Sequence, residues 1–509
     1  MVLGLSHKAK RVSDEAICLT ALGRDRGESD VGPNEMKAWT EEALNLIDSR
    51  VFRISDEGPL HAPVSHFTIR RNEDLALILE TEAPGDAKSR AQERPSGAVW
   101  MSTDEVKLTS LTGPSATLAG VERRDARRVT DQTGKSTIHE SYSCHTLQVD
   151  LGEASAGVYT VEWLKNLPSY PFLWPDSIST VVETSVKRII ANEEDGITIP
   201  HSDSREGFSR SAARLTVDGQ VLYVVGTDRN ARHGEPALGY VIYRGTPDDE
   251  LRQKVRVALS FALGTYLVEL GCTTYTQDWQ IVRARARTGY SLGGMAFKLG
   301  SLPLAPLSTA PYQFHIERAP LNRMVSALVA IYESFDLGNL SWAYWHACAA
   351  TVHTAPAQFG AAIEALGRAY LRQHPTIAQS ILDAEEWKEL QGTFAELLDQ
   401  SGLGKTQKEG LLKNFGRLNQ VPQRDVLKAI LKEIGIELGP EEAAAWGRRN
   451  KSAHGMPIRE GHELSAIRDM TLLKTLFHRM LLRMTNGTSH YIDYASLGTP
   501  HRRLEVPAA

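Results

Sequence analysis

SLPLAPLSTAPY, residues 301–312, divides the chain. Three prolines in twelve residues, with neither a helical nor an alternating period, read as a connecting segment. Upstream of it the apolar residues alternate as they do in half-buried strands. Downstream they recur every three to four residues, the helical spacing. The expected fold is therefore α+β. A β-rich region over 1–312, of one or two subdomains, precedes an all-α bundle over 313–509.

Upstream, VFRIS (51–55), HFTIRR (66–71), DLALILET (74–81), TLQVDL (146–151) and VYTVEWL (158–164) read as strands. Residues 83–97 and 121–137 read as loops, the second a solvated loop with four arginines. LTVDGQVLYVV (215–225) predicts a hairpin, because Asp218-Gly219 tolerates the positive φ of a type I′ turn. GYVIYRG (239–245) adds a strand. A buried helix follows, capped by Thr246, with Pro247 at its first position, and running to Gly271. WQIVRARARTGY (279–290) returns to strand and projects Arg283, Arg285 and Arg287 from one face. Solvent is the expected neighbour of that face, and a phosphate-rich ligand or RNA the sharper alternative.

Downstream, helices are expected at 319–335, 340–352, 356–373, 384–400, 405–419, 423–435, 440–454 and 463–485. Glycine or proline separates them, and the short connections favour antiparallel neighbours.

Composition narrows the function. Across 509 residues the apolar fraction is 42%, the charged fraction 23% and the net charge −5. Nucleic-acid contact must then be local. Cys18, Cys144, Cys272 and Cys348 form no paired or zinc-like spacing, so a reducing cytoplasm is expected, without metal or cofactor. No signal-like segment opens the chain, and the longest apolar run, Val257 to Val268, is too short to span a bilayer. Gly134-Lys135-Ser136 and Gly404-Lys405-Thr406 lack the earlier glycine of a phosphate loop. Asp176, Glu183 and Lys187 only weakly match a metal-dependent nuclease, because the glutamate and lysine stand four apart rather than two. His346 and His353, beside Trp342 and Trp345, are read as packing residues.

One segment carries chemistry. Arg448-Arg449-Asn450-Lys451-Ser452-Ala453-His454-Gly455 places arginine, amide and imidazole within a few residues. Arginine grips phosphate oxygens and histidine moves protons near neutral pH. The spacing alone decides little, since Arg368/His374 and Arg483/His490 are spaced alike. A well-made helix also accounts for it. Pro440 and two acids open that helix, cations suit its C-terminus, and Gly455 and Pro457 end it.

RRNKSAHG resembles the Arg-Asn-then-His signature of HEPN-domain ribonucleases, and its surroundings resemble the ApeA-like group. FGAAIEALGRAYLRQH (359–374), LSAIRDMTLLKTLFHRMLLRM (464–484) and YIDY (491–494) carry the rest, so the likeness spans about residues 340–500. The resemblance implies a metal-independent endoribonuclease and a bacterial antiphage, abortive-infection effector with a phage-derived trigger. RNA, including tRNA, would be its substrate and no membrane its partner. Arg449, Asn450 and His454 are the candidate catalytic residues. Arg448 and Lys451 are the candidate substrate-binding residues, and Glu364 the candidate acid that orients Arg449 or His454. Positions 449 and 454 lie about 140° apart around a helix. Either His454 falls beyond the helix end, or two copies pair their motifs, and the resemblance implies a homodimer, or a higher even-numbered oligomer, through the helical domain. The rival is a HEPN-like module that binds RNA or nucleotide without cutting it.

Overall fold

The structure, a computed structural model, describes residues 42–48, 50, 52–87, 105–110, 113–152, 156–168, 173–182, 186–191, 196–200, 207–226, 237–290, 292, 295, 299–308, 315–453, 458 and 460–508. A β-rich N-terminal region is followed by a helical C-terminal one.

Antiparallel pairing runs through a 13-stranded sheet. From one edge its order is Phe52–Asp56, Glu105–Ser110, Ser115–Ala119, Thr146–Asp150, Ile281–Arg287, Val268–Tyr275 and Tyr159–Leu167. Ala237–Arg244, Gln220–Gly226, Gly207–Val217, Asp176–Val182, Val186–Ile190 and Ile197–Pro200 complete it. A second sheet of four strands is built from His66–Arg71, Leu77–Pro84, Ser136–Cys144 and Glu122–Thr130. It packs Leu77, Leu79 and Tyr142 against Leu147, Val149 and Ala284 of the long sheet.

The period-two rule sorts the rest of the long sheet. Along Ala237–Arg244, Val241 and Tyr243 face one core while Tyr240 and Ile242 face another. Asp218 and Gly219 join their strands at φ 49° and 74°, the turn expected from Asp-Gly.

The ten helices among the described residues are α1 (Glu42–Asp48), α2 (Asp249–Leu263), α3 (Arg318–Ala330), α4 (Leu337–Ala349) and α5 (Ala355–Gln373), then α6 (Ala384–Gln400), α7 (Lys405–Phe415), α8 (Gln423–Glu433), α9 (Pro440–Ala453) and α10 (Glu463–Thr485). The eight expected helices of the C-terminal region are all present, most with ends moved by a few residues. One hydrophobic core joins Leu164, Val224 and Tyr243 of the sheet to Phe261 of α2, Tyr344 of α4, Leu366 of α5 and Phe477 of α10.

Several sequence expectations change. The helix over 246–271 is shorter. Asp248, not Thr246, caps it by accepting the Leu251 N–H, and Gly264 ends it at φ 68°. A Cβ on Gly264 would stand 1.9 Å from the Leu302 carbonyl carbon, so this helix end needs glycine for close approach as well as for backbone. Val268–Tyr275 is instead a central strand, whose apolar and β-branched run suits burial on both faces. The stretch 121–137, expected as a loop, is mostly strand: Glu122–Thr130 pairs with Ser136–Cys144, and the arginines stand on the exposed outer strand. The strand Ile281–Arg287 does align its arginines, and each meets an acid, while the side chains of Arg283 and Arg287 stay 43% and 38% exposed. Arg283 pairs with Asp150 at 2.5 Å, Arg285 with Asp249 at 2.7 Å and Arg287 with Glu269 at 2.8 Å. The proline-rich connector is built into the core over its described part. Leu304 and Ala305 are fully buried, and Pro303 accepts the Tyr494 hydroxyl at 2.7 Å.

Candidate functional site

Helix α9 is fastened before it reaches the motif. Glu442 accepts the Gly439 N–H at 2.9 Å at its start. The same carboxylate takes Arg479 of α10 at 2.6 and 2.8 Å, and both side chains are completely buried. Arg479 also donates to the Leu504 and Glu437 carbonyls. A buried charge pair is tolerated when every polar atom is met in this way. Ala445 and Trp446 then pack the helix into the main core.

One turn later the two arginines diverge. Consecutive helical residues point about 100° apart. Arg449 turns toward α5, where its Nη2 donates to the Glu364 carboxylate. Its Nη1 donates to the Trp446 carbonyl at 2.9 Å, and its guanidinium lies 3.4 Å from the Trp446 ring centre. The stem of Arg449 crosses α5 at Gly360, where a Cβ would meet its Cδ at 2.5 Å and its Nε at 2.9 Å. The side chain is 10% exposed against 28% for Glu364. The pair is thus sheltered but reachable from the Glu364 side.

Arg448 turns toward α10 and donates twice to Asp469, at 2.7 and 2.6 Å. The hydrogen bonds to Asp469 raise its pKa above the ordinary arginine value, so its charge is permanent. Arg448 stays 43% exposed. Its charge faces outward while its fork is anchored.

Two sequence candidates therefore meet: Glu364 and Arg449 form an ion pair, although 85 positions separate them. Arg448, expected to attract a nucleic-acid backbone, has a carboxylate partner already. Asn450 and Lys451 follow within α9, with side chains outside the described residues, as is His454 as a whole. Trp446, Gly360 and Asp469 were missed by sequence reasoning. Asp469 carried a signal, since it shares the helical spacing of the buried Leu472, Leu473 and Leu476. An acid on a buried face asks for a cation.

The arrangement can hold one desolvated guanidinium in place with N–H groups to spare. Such a group can receive a phosphate oxygen without reorganising. Among the described residues no cluster of His, Cys, Asp and Glu could hold a metal ion. The weak nuclease match at 176–187 does not assemble. Asp176 is buried, pairs with Arg318 and accepts the Arg214 N–H at 2.6 Å, while Glu183 lies outside the described residues. His346 lies 4.1 Å from the Trp342 ring, ring centre to ring centre, a packing contact on the outer side of α4.

No family model matches the chain, and no curated protein or solved structure is detectably similar to it. Among the described residues no helix is long and apolar enough to cross a membrane.

Proposed function

We propose that this chain is a metal-independent endoribonuclease of the HEPN type, acting in the cytoplasm as an abortive-infection effector. The observation that carries the proposal is the fixed guanidinium of Arg449. It is held by Glu364 of α5 and Trp446 of α9, in the C-terminal half of α9 and five positions before His454. That is where an Arg-Asn-His ribonuclease needs a pre-set cation.

In this reading the RNA 2′-hydroxyl oxygen attacks the adjacent phosphorus and the 5′-oxygen leaves. A 2′,3′-cyclic phosphate and a free 5′-hydroxyl result. Arg449 bonds the phosphate oxygens and stabilises the charge that grows on them. His454 transfers a proton, and Asn450 hydrogen-bonds the phosphate or positions the other two. Arg448 and Lys451 draw in the backbone. Glu364 is a positioning residue that fixes Arg449. Two copies supply two motifs, which removes the difficulty that positions 449 and 454 do not share a helical face. The N-terminal sheets take the sensing role, with a phage-derived molecule as trigger.

A second reading rests on the same ion pair. Glu364 already occupies part of the Arg449 fork, as it would in a module that binds RNA or nucleotide and leaves it whole. Cleavage of a mixed RNA pool, tRNA included, in EDTA separates the two. Wild-type cleavage with cyclic-phosphate ends, lost in Arg449→Ala and His454→Ala and absent on 2′-deoxy substrate, supports the enzyme. Overexpression that is toxic only when His454 is intact supports it in cells. Cleavage by all three proteins removes this site from the reaction, and binding without cleavage in cells undergoing infection favours the module.

A further inference from the structure

A cavity of about 530 Å³ lies in the N-terminal region, where α1 rests beside the turn that joins Val268–Tyr275 to Ile281–Arg287. Small-molecule sites run from about 300 to 1,000 Å³. Leu46, Leu151, Ile199 and Ile281 give it apolar sides. Ile281 packs against two separate hydrophobic cores, so the cavity sits where those cores meet.

The turn holds a residue that backbone chemistry does not ask for. The Thr276 N–H donates to the Gln280 carbonyl at 2.9 Å and the Trp279 N–H to the Thr276 carbonyl at 3.1 Å. The last residue of such a turn takes the left-handed backbone, which glycine adopts freely. Here it is Trp279, at φ 59°. A bulky side chain is unfavourable at that angle, so its surroundings must hold it. Trp279 stacks on Tyr159 with ring centres 4.6 Å and planes 3° apart, and its Nε1 donates to the Thr198 carbonyl at 3.0 Å. Tyr275 lies 5.3 Å from it, ring centre to ring centre. These contacts fix Trp279 and Tyr275 as an aromatic wall of the cavity and leave the space beside them unfilled.

Glu42 supplies the charge. It lines the cavity, and its Oε2 accepts the Tyr275 hydroxyl at 2.6 Å. Among the described residues no cation pairs with it, and burial raises its pKa above the ordinary carboxylate value. A sheltered carboxylate without a counter-ion is unfavourable. The other two charges on the cavity, Arg50 and Asp278, are exposed and opposite in sign. The sheltered end is therefore acidic, the sides are aliphatic and one wall is aromatic. An anion would meet Glu42 unfavourably, and a purely apolar ligand would leave the carboxylate unpaired. A metal ion would find a single sheltered carboxylate, and no metal-holding cluster exists among the described residues. An ammonium satisfies both the carboxylate and the aromatic faces.

We infer that this cavity binds a protonated primary amine with an apolar or aromatic body, its ammonium on Glu42 and its body between Trp279 and the aliphatic sides. The inference stands apart from the ribonuclease reading, because amine binding is measured without RNA.

The test is isothermal titration of the full chain with probes that share a ring and differ in charge. Tryptamine ends in an ammonium, indole-3-propionate ends in a carboxylate, and indole has neither. Phenethylamine and agmatine are added so that the fit of one ring does not decide the result. At least one of the amines is expected to bind one per chain, with tryptamine about tenfold or more tighter than indole-3-propionate or indole. Glu42→Gln keeps an acceptor for the Tyr275 hydroxyl and removes the charge. It should weaken amine binding about tenfold with the thermal transition kept. Arg50→Gln should leave amine binding as tight or tighter. The wild-type probe series stands by itself should a variant fold poorly. Binding of none of the amines overturns the inference. So does tighter binding of indole-3-propionate, which would make Arg50 the anchor, and so does amine binding that survives Glu42→Gln. Guanosine monophosphate binding more tightly than every amine also overturns it, in favour of a nucleotide site.

Discussion

Gly360→Ala separates helix stability from the placement of Arg449. In a helix interior this change normally stabilises by about 1 kcal/mol, because alanine loses less conformational freedom. Here the new methyl would stand 2.5 Å from Arg449 Cδ, where ordinary contact begins near 3.4 Å, so the stem must move by about 0.9 Å. It cannot swing freely, because its far end is held by Glu364, the Trp446 carbonyl and the Trp446 ring. Overpacking of this kind costs about 1–3 kcal/mol, so the net change is a loss of about 0–2 kcal/mol. A displacement near 1 Å at a reacting group costs on the order of 100-fold in rate. Gly392→Ala on α6 is the control, since its Cβ meets nothing within 4 Å. It should slow amide exchange in α6 and leave cleavage alone. The assay pairs thermal denaturation with RNA cleavage in EDTA. Should Gly360→Ala melt at or above wild type and cut RNA at the wild-type rate, the packing of Arg449 has no bearing on function.

Other outcomes can be stated now. Glu442→Ala leaves Arg479 charged and buried without its carboxylate, and urea denaturation should show a loss of about 3–5 kcal/mol. Arg448→Ala strands the buried Asp469 and should cost about 1–3 kcal/mol, with Asp469→Asn in the same background recovering part of it. His478 is fully buried, with its Nε2 at 2.7 Å from the Tyr344 hydroxyl. Burial, and then the nearby Lys474 charge, hold its pKa well below the usual imidazole value. The unfolded chain therefore binds the extra proton. Stability should be fully present above about pH 6.5 and fall by up to about 1.4 kcal/mol per unit below it. Melting curves across pH 5–8 should show that slope flattened in His478→Gln. Gly219→Ala places a side chain at φ 74° in the Asp-Gly turn and should cost about 1 kcal/mol in the melting curve without touching RNA cleavage.

The α+β order and the run of C-terminal helices were legible because each rests on local period and local breakers. The Asp218-Gly219 turn was legible for the same reason. The end of α2 was not. VALSFALGTYLVEL is apolar at most positions, so period cannot separate a buried helix from a buried central strand. Gly264 was the break, and its need for glycine comes from the backbone of Leu302, which sequence order does not reveal. The partners of the arginine stripe were hidden similarly. Alternation fixed the face, but its acids come from Asp150, Asp249 and Glu269, on two other strands and the head of α2. Within the site, Glu364 stood out as an acid among apolar residues, and it does meet Arg449. Trp446 and Gly360 carried no comparable sign. One is an ordinary core aromatic and the other an ordinary small residue until the arginine is laid across them.

The shared core has a practical consequence for dissecting the molecule. Phe261 stacks within reach of Tyr344 and Phe477, at 5.3 and 6.3 Å, and Leu304 lies buried between the sheet side and the helices. Cutting at the proline-rich segment would bare both surfaces at once. Separately expressed halves should be poorly soluble, and calorimetry of the intact chain should show the sheet and the bundle melting in one transition. Protease should enter first between α6 and α7, whose residues contribute almost nothing to that core.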